Sequence, residues 1–183
     1  MNPLSVQGNN IIPGRPLVLY HCGHEQCKPS HSFGPAIRPH YLIHFGLHGQ
    51  GTYHVNGSVY HIGEGEGFLI HPGVTTLYCA DAQNPWEYCW IGFDGNDVPA
   101  IFKTCGLSHT SLILKDYSNG MLWKDLSSLI LAFTERQGNE LLYLSLLYRC
   151  FSHVCCPVQA PSGVVYENYI TRAMDYIHNN YTY

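Results

Sequence analysis

Gly51-Thr52-Tyr53-His54-Val55-Asn56-Gly57-Ser58-Val59-Tyr60-His61-Ile62 is the stretch on which the reading of the fold turns. Asn56-Gly57 fits a type I′ turn, which needs φ > 0 at both central residues, and β-branched and aromatic residues flank it on each side. The stretch therefore predicts a tight antiparallel hairpin. Working outward, short segments of the same character recur at Leu17–Tyr20, His40–Gly46, Gly67–Ile70, Thr75–Cys79 and Glu87–Phe93. Turn residues separate them: Gly34-Pro35, Gly49-Gln50-Gly51, Gly63 to Gly67, Pro72-Gly73 and Asn84-Pro85. Regularly spaced short strands with such punctuation predict a sandwich or barrel.

After Gly95 the period of the apolar residues changes from two to about 3.6. Val98, Ile101 and Phe102 suggest a short helix, and longer helices are expected over Met121–Arg136 and Asn139–Val154, punctuated by Gly138. Pro157–Gly163 reads as a linker and Tyr166–Asn179 as a last amphipathic helix. The expected organisation is an arm over 1–16, a barrel over 17–95, a helical region over 96–156, and a linker with a first helix of a further domain over 157–183.

The 183 residues suffice for one well-packed core with an appendage. Nine Lys and Arg against thirteen Asp and Glu leave a net charge of -4, which gives no footprint for a polyphosphate backbone. The 14 Tyr, 12 His and 18 Gly with only 12% charged residues suit short strands and polar-aromatic pockets instead. No apolar run approaches the roughly 20 residues of a membrane helix, so a cytoplasmic protein is expected. The eight scattered cysteines read as reduced, mostly buried thiols. Cys22 and Cys27 lack a second pair at metal-site spacing, and no bound transition metal is expected.

Period two places Trp86, Tyr88 and Trp90 on one face of Glu87–Phe93 and its approach, with Cys89, Ile91 and Phe93 on the other. On the preceding central segment Leu42 and His44 share one face, Tyr41, Ile43 and Phe45 the other. One face is an aromatic stripe suited to the C–H surface of a sugar ring, and the other is plain core. The Arg38 guanidinium can grip vicinal hydroxyls or a carboxylate with its fork of donors, or form an ion pair with Glu25 or Asp94. Glu25 can accept hydroxyl donors. His44 reads either as a contact or as a satisfied core histidine.

The succession Gly23-His24-Glu25-Gln26-Cys27, Gly34-Pro35-Ala36-Ile37-Arg38, Tyr41-Leu42-Ile43-His44-Phe45, Gly49-Gln50-Gly51, Gly67-Phe68-Leu69-Ile70-His71-Pro72-Gly73, Tyr78 and Pro85-Trp86-Glu87-Tyr88-Cys89-Trp90 resembles the sensor domain of AraC-family transcription regulators. The resemblance implies a β-rich α+β fold, a cupin-like double-stranded β-barrel (jelly roll) followed by a helical hairpin for dimerisation. It implies a sugar or related metabolite inside the barrel, with Tyr78, Tyr88 and Trp90 at the family's ligand-contacting positions. Glu25, Arg38 and His44 complete the candidate ligand set. Tyr169 to Asn180 looks like the opening helix of the family's DNA-binding domain, so DNA would be reached only through a C-terminal helix-turn-helix domain that this sequence lacks. The expected partners are thus a small-molecule effector and a second copy of the chain.

Leu141, Leu144, Leu147, Tyr148 and Phe151 form an apolar stripe along Asn139–Val154, expected as the main homodimer contact. A metal-dependent cupin enzyme is the first alternative, but there is no His-x-His, and Val74, Thr75 and Thr76 stand where a later histidine ligand would be expected. A stand-alone carbohydrate-binding module is the second, and it would have no use for the long helix pair. No Gly-x-Ser-x-Gly elbow occurs, and no catalytic residue is expected.

Overall fold

The computed structural model describes residues 15–155. The expected arm up to Gly14, the linker Pro157–Gly163 and the helix Tyr166–Asn179 lie outside the described residues. Two antiparallel sheets are formed by β1 (Val18–Gln26), β2 (Ser32–Ile37), β3 (Tyr41–His48), β4 (Gly51–Val55), β5 (Ser58–Ile62), β6 (Glu66–Ile70), β7 (Thr75–Ala80), β8 (Glu87–Asp94) and β9 (Ile113–Lys115). One sheet runs β1-β8-β3-β6-β9, and the other β2-β7-β4-β5. Helices α1 (Val98–Cys105), α2 (Met121–Thr134) and α3 (Glu140–Val154) follow the strands. This is the expected cupin-like jelly roll with a helical hairpin after it.

The opening hairpin forms as the sequence dictates. Asn56 and Gly57 have φ of 49° and 77°, and Val55 pairs with Ser58 across a two-residue loop. Three strand readings need correction. β1 runs on to Gln26, because pairing with β8 from Val18↔Asp94 to Gln26↔Glu87 holds its polar half in register. Gly34-Pro35 is no turn but lies inside β2, at a register irregularity between Phe33 and Ala36. β2 is an edge strand, where a residue without an N–H costs no ladder bond. β9 was not foreseen, since three residues carry no readable period; it pairs with β6.

Alternation sorts side chains between two cores. Leu42, Phe68, Ile70, Tyr78, Trp86 and Tyr88 fill the barrel interior. Ile43, Phe45, Cys89, Ile91 and Phe93 emerge on the outer face of the five-stranded sheet and meet Leu122, Leu126, Leu129, Leu146, Leu147 and Phe151 from α2 and α3. The helix pair is also joined by buried Asp125, which pairs with Arg149 at 2.8 Å and His153 at 2.7 Å. Asn139 caps α3 by accepting a hydrogen bond from the Leu142 N–H at 3.0 Å.

The expected dimer stripe is divided by this packing. Leu147 and Phe151 are buried in the chain's own core, because the curved outer face of the sheet takes both turns of the helix facing it. Leu141 and Tyr148 remain exposed, Leu144 is partly covered, and Leu131 and Leu142 add exposed apolar surface beside them.

This division is measurable as stability. Leu126→Ala and Leu147→Ala should each lower the unfolding free energy by about 2–5 kcal/mol, through lost burial and the cavity left behind. Leu141→Ala should stay within about 0.5 kcal/mol. Urea unfolding with an unchanged m-value is the check; a large loss for Leu141→Ala would contradict the packing described.

Candidate functional site in the barrel

The inward faces of β1, β3, β7 and β8 bring five of the expected ligand residues together, Glu25, His44, Tyr78, Tyr88 and Trp90, and Arg38 joins them from the segment just after β2. Tyr88 donates a hydrogen bond to Glu25 Oε2 at 3.2 Å. The His44 ring lies 5.0 Å from Tyr88, 4.7 Å from Tyr78 and 6.5 Å from Trp90, centroid to centroid. Arg38 forms no ion pair with Glu25 or Asp94 among the described residues; its guanidinium instead stacks 4.3 Å from the centre of the Phe33 ring. Phe33 in turn stacks on Tyr78 at 5.5 Å. The result is a continuous aromatic surface with one cation and one carboxylate on it.

Local sequence makes room for these rings. Gly23 faces Trp90 across the β1–β8 ladder, and a Cβ at that position would overlap the indole. A Cβ on Gly51 would likewise overlap the Trp86 indole. Small residues opposite tryptophans let both rings lie flat against the strands. Sequence reasoning did not place Phe33 at this surface, Gly23 against Trp90, or His21 beside His40, whose Nε2 atoms are 2.8 Å apart. Continuing the alternation of β1 through Gly23 and Glu25 would have found two of the three.

The electrostatics of the interior favour neutral rings. Burial above all, with the positive charge of Arg38 and the nearby His21, pushes His44 down to about 3. Burial, His40 and Arg38 push His21 down to about 4. Burial raises the Tyr78 hydroxyl, against the opposing pull of Arg38. Two buried polar atoms in this interior, His44 Nδ1 and Trp86 Nε1, have no hydrogen-bond partner among the described residues. Buried groups of this kind are nearly always paired, and leaving one unpaired costs about 1–3 kcal/mol. The interior therefore carries unused hydrogen-bonding capacity beside flat apolar faces.

The His44 ring is surrounded by Phe68, Tyr78, Tyr88 and Trp90. Two surface grooves of about 320 and 440 Å³ open elsewhere, one under Trp123 and the other beside Asp81. Neither contains Arg38, His44, Tyr78, Tyr88 or Trp90.

Residues 18–151 match the model of the AraC-like ligand binding domain. The chain belongs to this family. It is 34% identical over 150 residues to the Msm operon regulatory protein of Streptococcus mutans, covering 81% of this chain and 54% of that protein. Over 133 residues it is 32% identical to the raffinose operon transcriptional regulatory protein of Pediococcus pentosaceus, covering 70% of this chain and 48% of that protein. The chain thus spans about half the length of these relatives. Among solved structures, apo ToxT from Vibrio cholerae superposes with a TM-score of 0.52 at 11% identity, over 72% of this chain and 52% of that one. That likeness concerns the fold alone. No helix among the described residues of this AraC-type domain is long and apolar enough to cross a membrane.

The depressed histidines make the domain's stability pH-dependent. In the folded state they bind fewer protons than when unfolded, so stability is present above about pH 6.5 and lost as pH falls toward 4. His44 alone should remove about 2 kcal/mol between pH 7 and pH 5. Urea unfolding at both pH values should show this loss, and His44→Phe should reduce it; an equal loss in both proteins would exclude His44 as its source.

Proposed function

We propose that this domain senses a sugar or closely related metabolite inside its barrel and, as a homodimer, passes that signal to a C-terminal helix-turn-helix DNA-binding domain. The observation that carries the reading is the pair of unpartnered buried groups, His44 Nδ1 and Trp86 Nε1, set among stacked aromatic rings. Sugar recognition needs both components, flat faces for C–H surface and fixed polar groups for hydroxyls. Tyr78, Tyr88 and Trp90 supply the faces, His44 and Glu25 fixed hydrogen-bonding groups, and Arg38 a fork of donors at the rim. Two relatives named for operon regulation, one of them the raffinose operon, support the same reading. The domain performs no chemistry on its ligand, and its place is in the cytoplasm, where a regulator meets DNA.

Under this reading the described residues divide into the barrel, up to residue 95 with β9 returning to its sheet, and the helices α1, α2 and α3. The dimer contact falls on the exposed part of α3 and its surroundings, Leu141, Leu144 and Tyr148 with Leu131 and Leu142, rather than on the buried Leu147 and Phe151.

A thermal-shift screen with raffinose, its component sugars and their acids tests the ligand. A sugar at 100 times its Kd should stabilise the domain by about 2.7 kcal/mol. Trp90→Ala and Arg38→Ala should each weaken binding at least about tenfold while the fold persists. Unchanged affinity in both variants would move the site elsewhere. Sedimentation should give a dimer at tens of micromolar that dissociates in a Leu141→Glu, Tyr148→Gln double variant; a folded double variant that stays dimeric would place the contact on another face.

A further inference from the structure

Where β1 leaves the sheet, three side chains of different chemistry converge. Glu25, Cys27 and His31 each present one ligand atom, all within 4.8 Å of one another. Glu25 Oε1 is already 3.7 Å from His31 Nε2. We propose that these residues form a zinc site at the mouth of the barrel, with Cys27 Sγ, His31 Nε2 and Glu25 Oε1 as ligands and a fourth position open to water. The proposal departs from the sequence expectation of no bound transition metal.

Zinc takes sulfur at about 2.3 Å and nitrogen or oxygen at about 2.0–2.2 Å in a tetrahedron, so its ligand atoms lie roughly 3.3–3.7 Å apart. The Glu25–His31 edge has that length, and the remaining contraction is within reach of side-chain rotation. One thiolate and one carboxylate neutralise the dication, and a thiolate with an imidazole favours zinc over magnesium or calcium. Glu25 and His31 side chains are 43% and 40% exposed, which leaves a path for the ion and room for a water, whereas Cys27 is buried.

The backbone holds the donors in place. Glu25 and Cys27 are two residues apart and share the inward side of β1 as it ends. The Cys27 N–H donates to the Trp86 carbonyl at 3.1 Å. The chain then turns back, with Ser30 at φ 59° and the His31 N–H donating to the Lys28 carbonyl at 3.0 Å. That turn is pinned from outside by the Ala80 N–H, which donates to the His31 carbonyl at 2.8 Å. The other oxygen of Glu25 accepts from Tyr88, the kind of outer hydrogen bond that fixes a carboxylate ligand. Cys22, the cysteine nearest in sequence, faces the helices and takes no part.

Without metal, Cys27 is a thiol: burial and the Glu25 charge push it up to about 11. Zinc binding therefore exchanges the S–H bond for an S–Zn bond and releases the proton to solvent, with no change of oxidation state.

The test uses the purified 183-residue chain, stripped with chelator and titrated with zinc alone, with no sugar present. About one zinc per chain is expected. Cobalt in place of zinc should give a thiolate charge-transfer band that vanishes in Cys27→Ser. His31→Asn, at an exposed turn, should fold normally by circular dichroism and bind zinc at least about tenfold more weakly. A parent chain that takes up no stoichiometric zinc, or a His31→Asn variant that binds it as well as the parent, would overturn the proposal.

Discussion

Strands β3 and β8 lie side by side in the middle of the five-stranded sheet, with the barrel interior against one face and the helices against the other. Their pairing, Ile43↔Ile91 and His44↔Trp90, fixes which residues go where. A slip of one residue would drive Ile43, Phe45 and Phe93 into the interior and push His44 and Trp90 under α2 and α3. The two cores are chemically distinct, so such a slip would bury polar rings among aliphatic side chains and leave the barrel without its hydrogen-bonding groups. Single registry between these two strands is the condition for both the helical packing and the candidate site.

The cores contribute differently to the molecule. On the helix side, leucines and phenylalanines interlock, and the buried Asp125 carboxylate is compensated by Arg149 and His153. On the interior side, His44 is kept neutral at a cost that grows as pH falls, and two ring N–H or N positions go unpaired. Stability comes from the helix-packed face, and the interior draws on it to hold polar rings in a fixed arrangement.

Alternation made the central strands legible, because Trp86, Tyr88 and Trp90 differ so plainly from Cys89, Ile91 and Phe93. The Asn56-Gly57 turn was legible for the same reason, that its residues answer to a local backbone requirement. β1 beyond Tyr20 was not, since His21 to Gln26 shows no apolar rhythm and its strand character comes from β8 alone. α3 misled in a different way. Its apolar positions wrap more than one face, and sequence periodicity does not say which face meets the sheet; only the tertiary packing assigns Leu147 and Phe151 inward and Leu141 outward. The Glu25, Cys27 and His31 cluster escaped notice because the turn that returns His31 depends on pairing with Ala80, far along the sequence.

Glu25 stands at the junction of the two sites. One carboxylate oxygen faces His31 in the turn, and the other accepts from Tyr88 in the aromatic cluster. A cation held on the first oxygen withdraws charge from the second, which weakens it as an acceptor and leaves the Tyr88 hydroxyl freer to serve a sugar. A sugar hydroxyl that took the second oxygen for itself would in turn alter the donor strength of the first. Since both events act through one carboxylate, whatever factor the metal applies to sugar affinity, the sugar must apply to metal affinity. The sign depends on which oxygen the sugar uses: zinc strengthens binding if the hydroxyl bonds Tyr88, and weakens it if the hydroxyl donates to Glu25. With both proposed ligands bound, the single Glu25 carboxylate would couple the rim of the barrel to its interior.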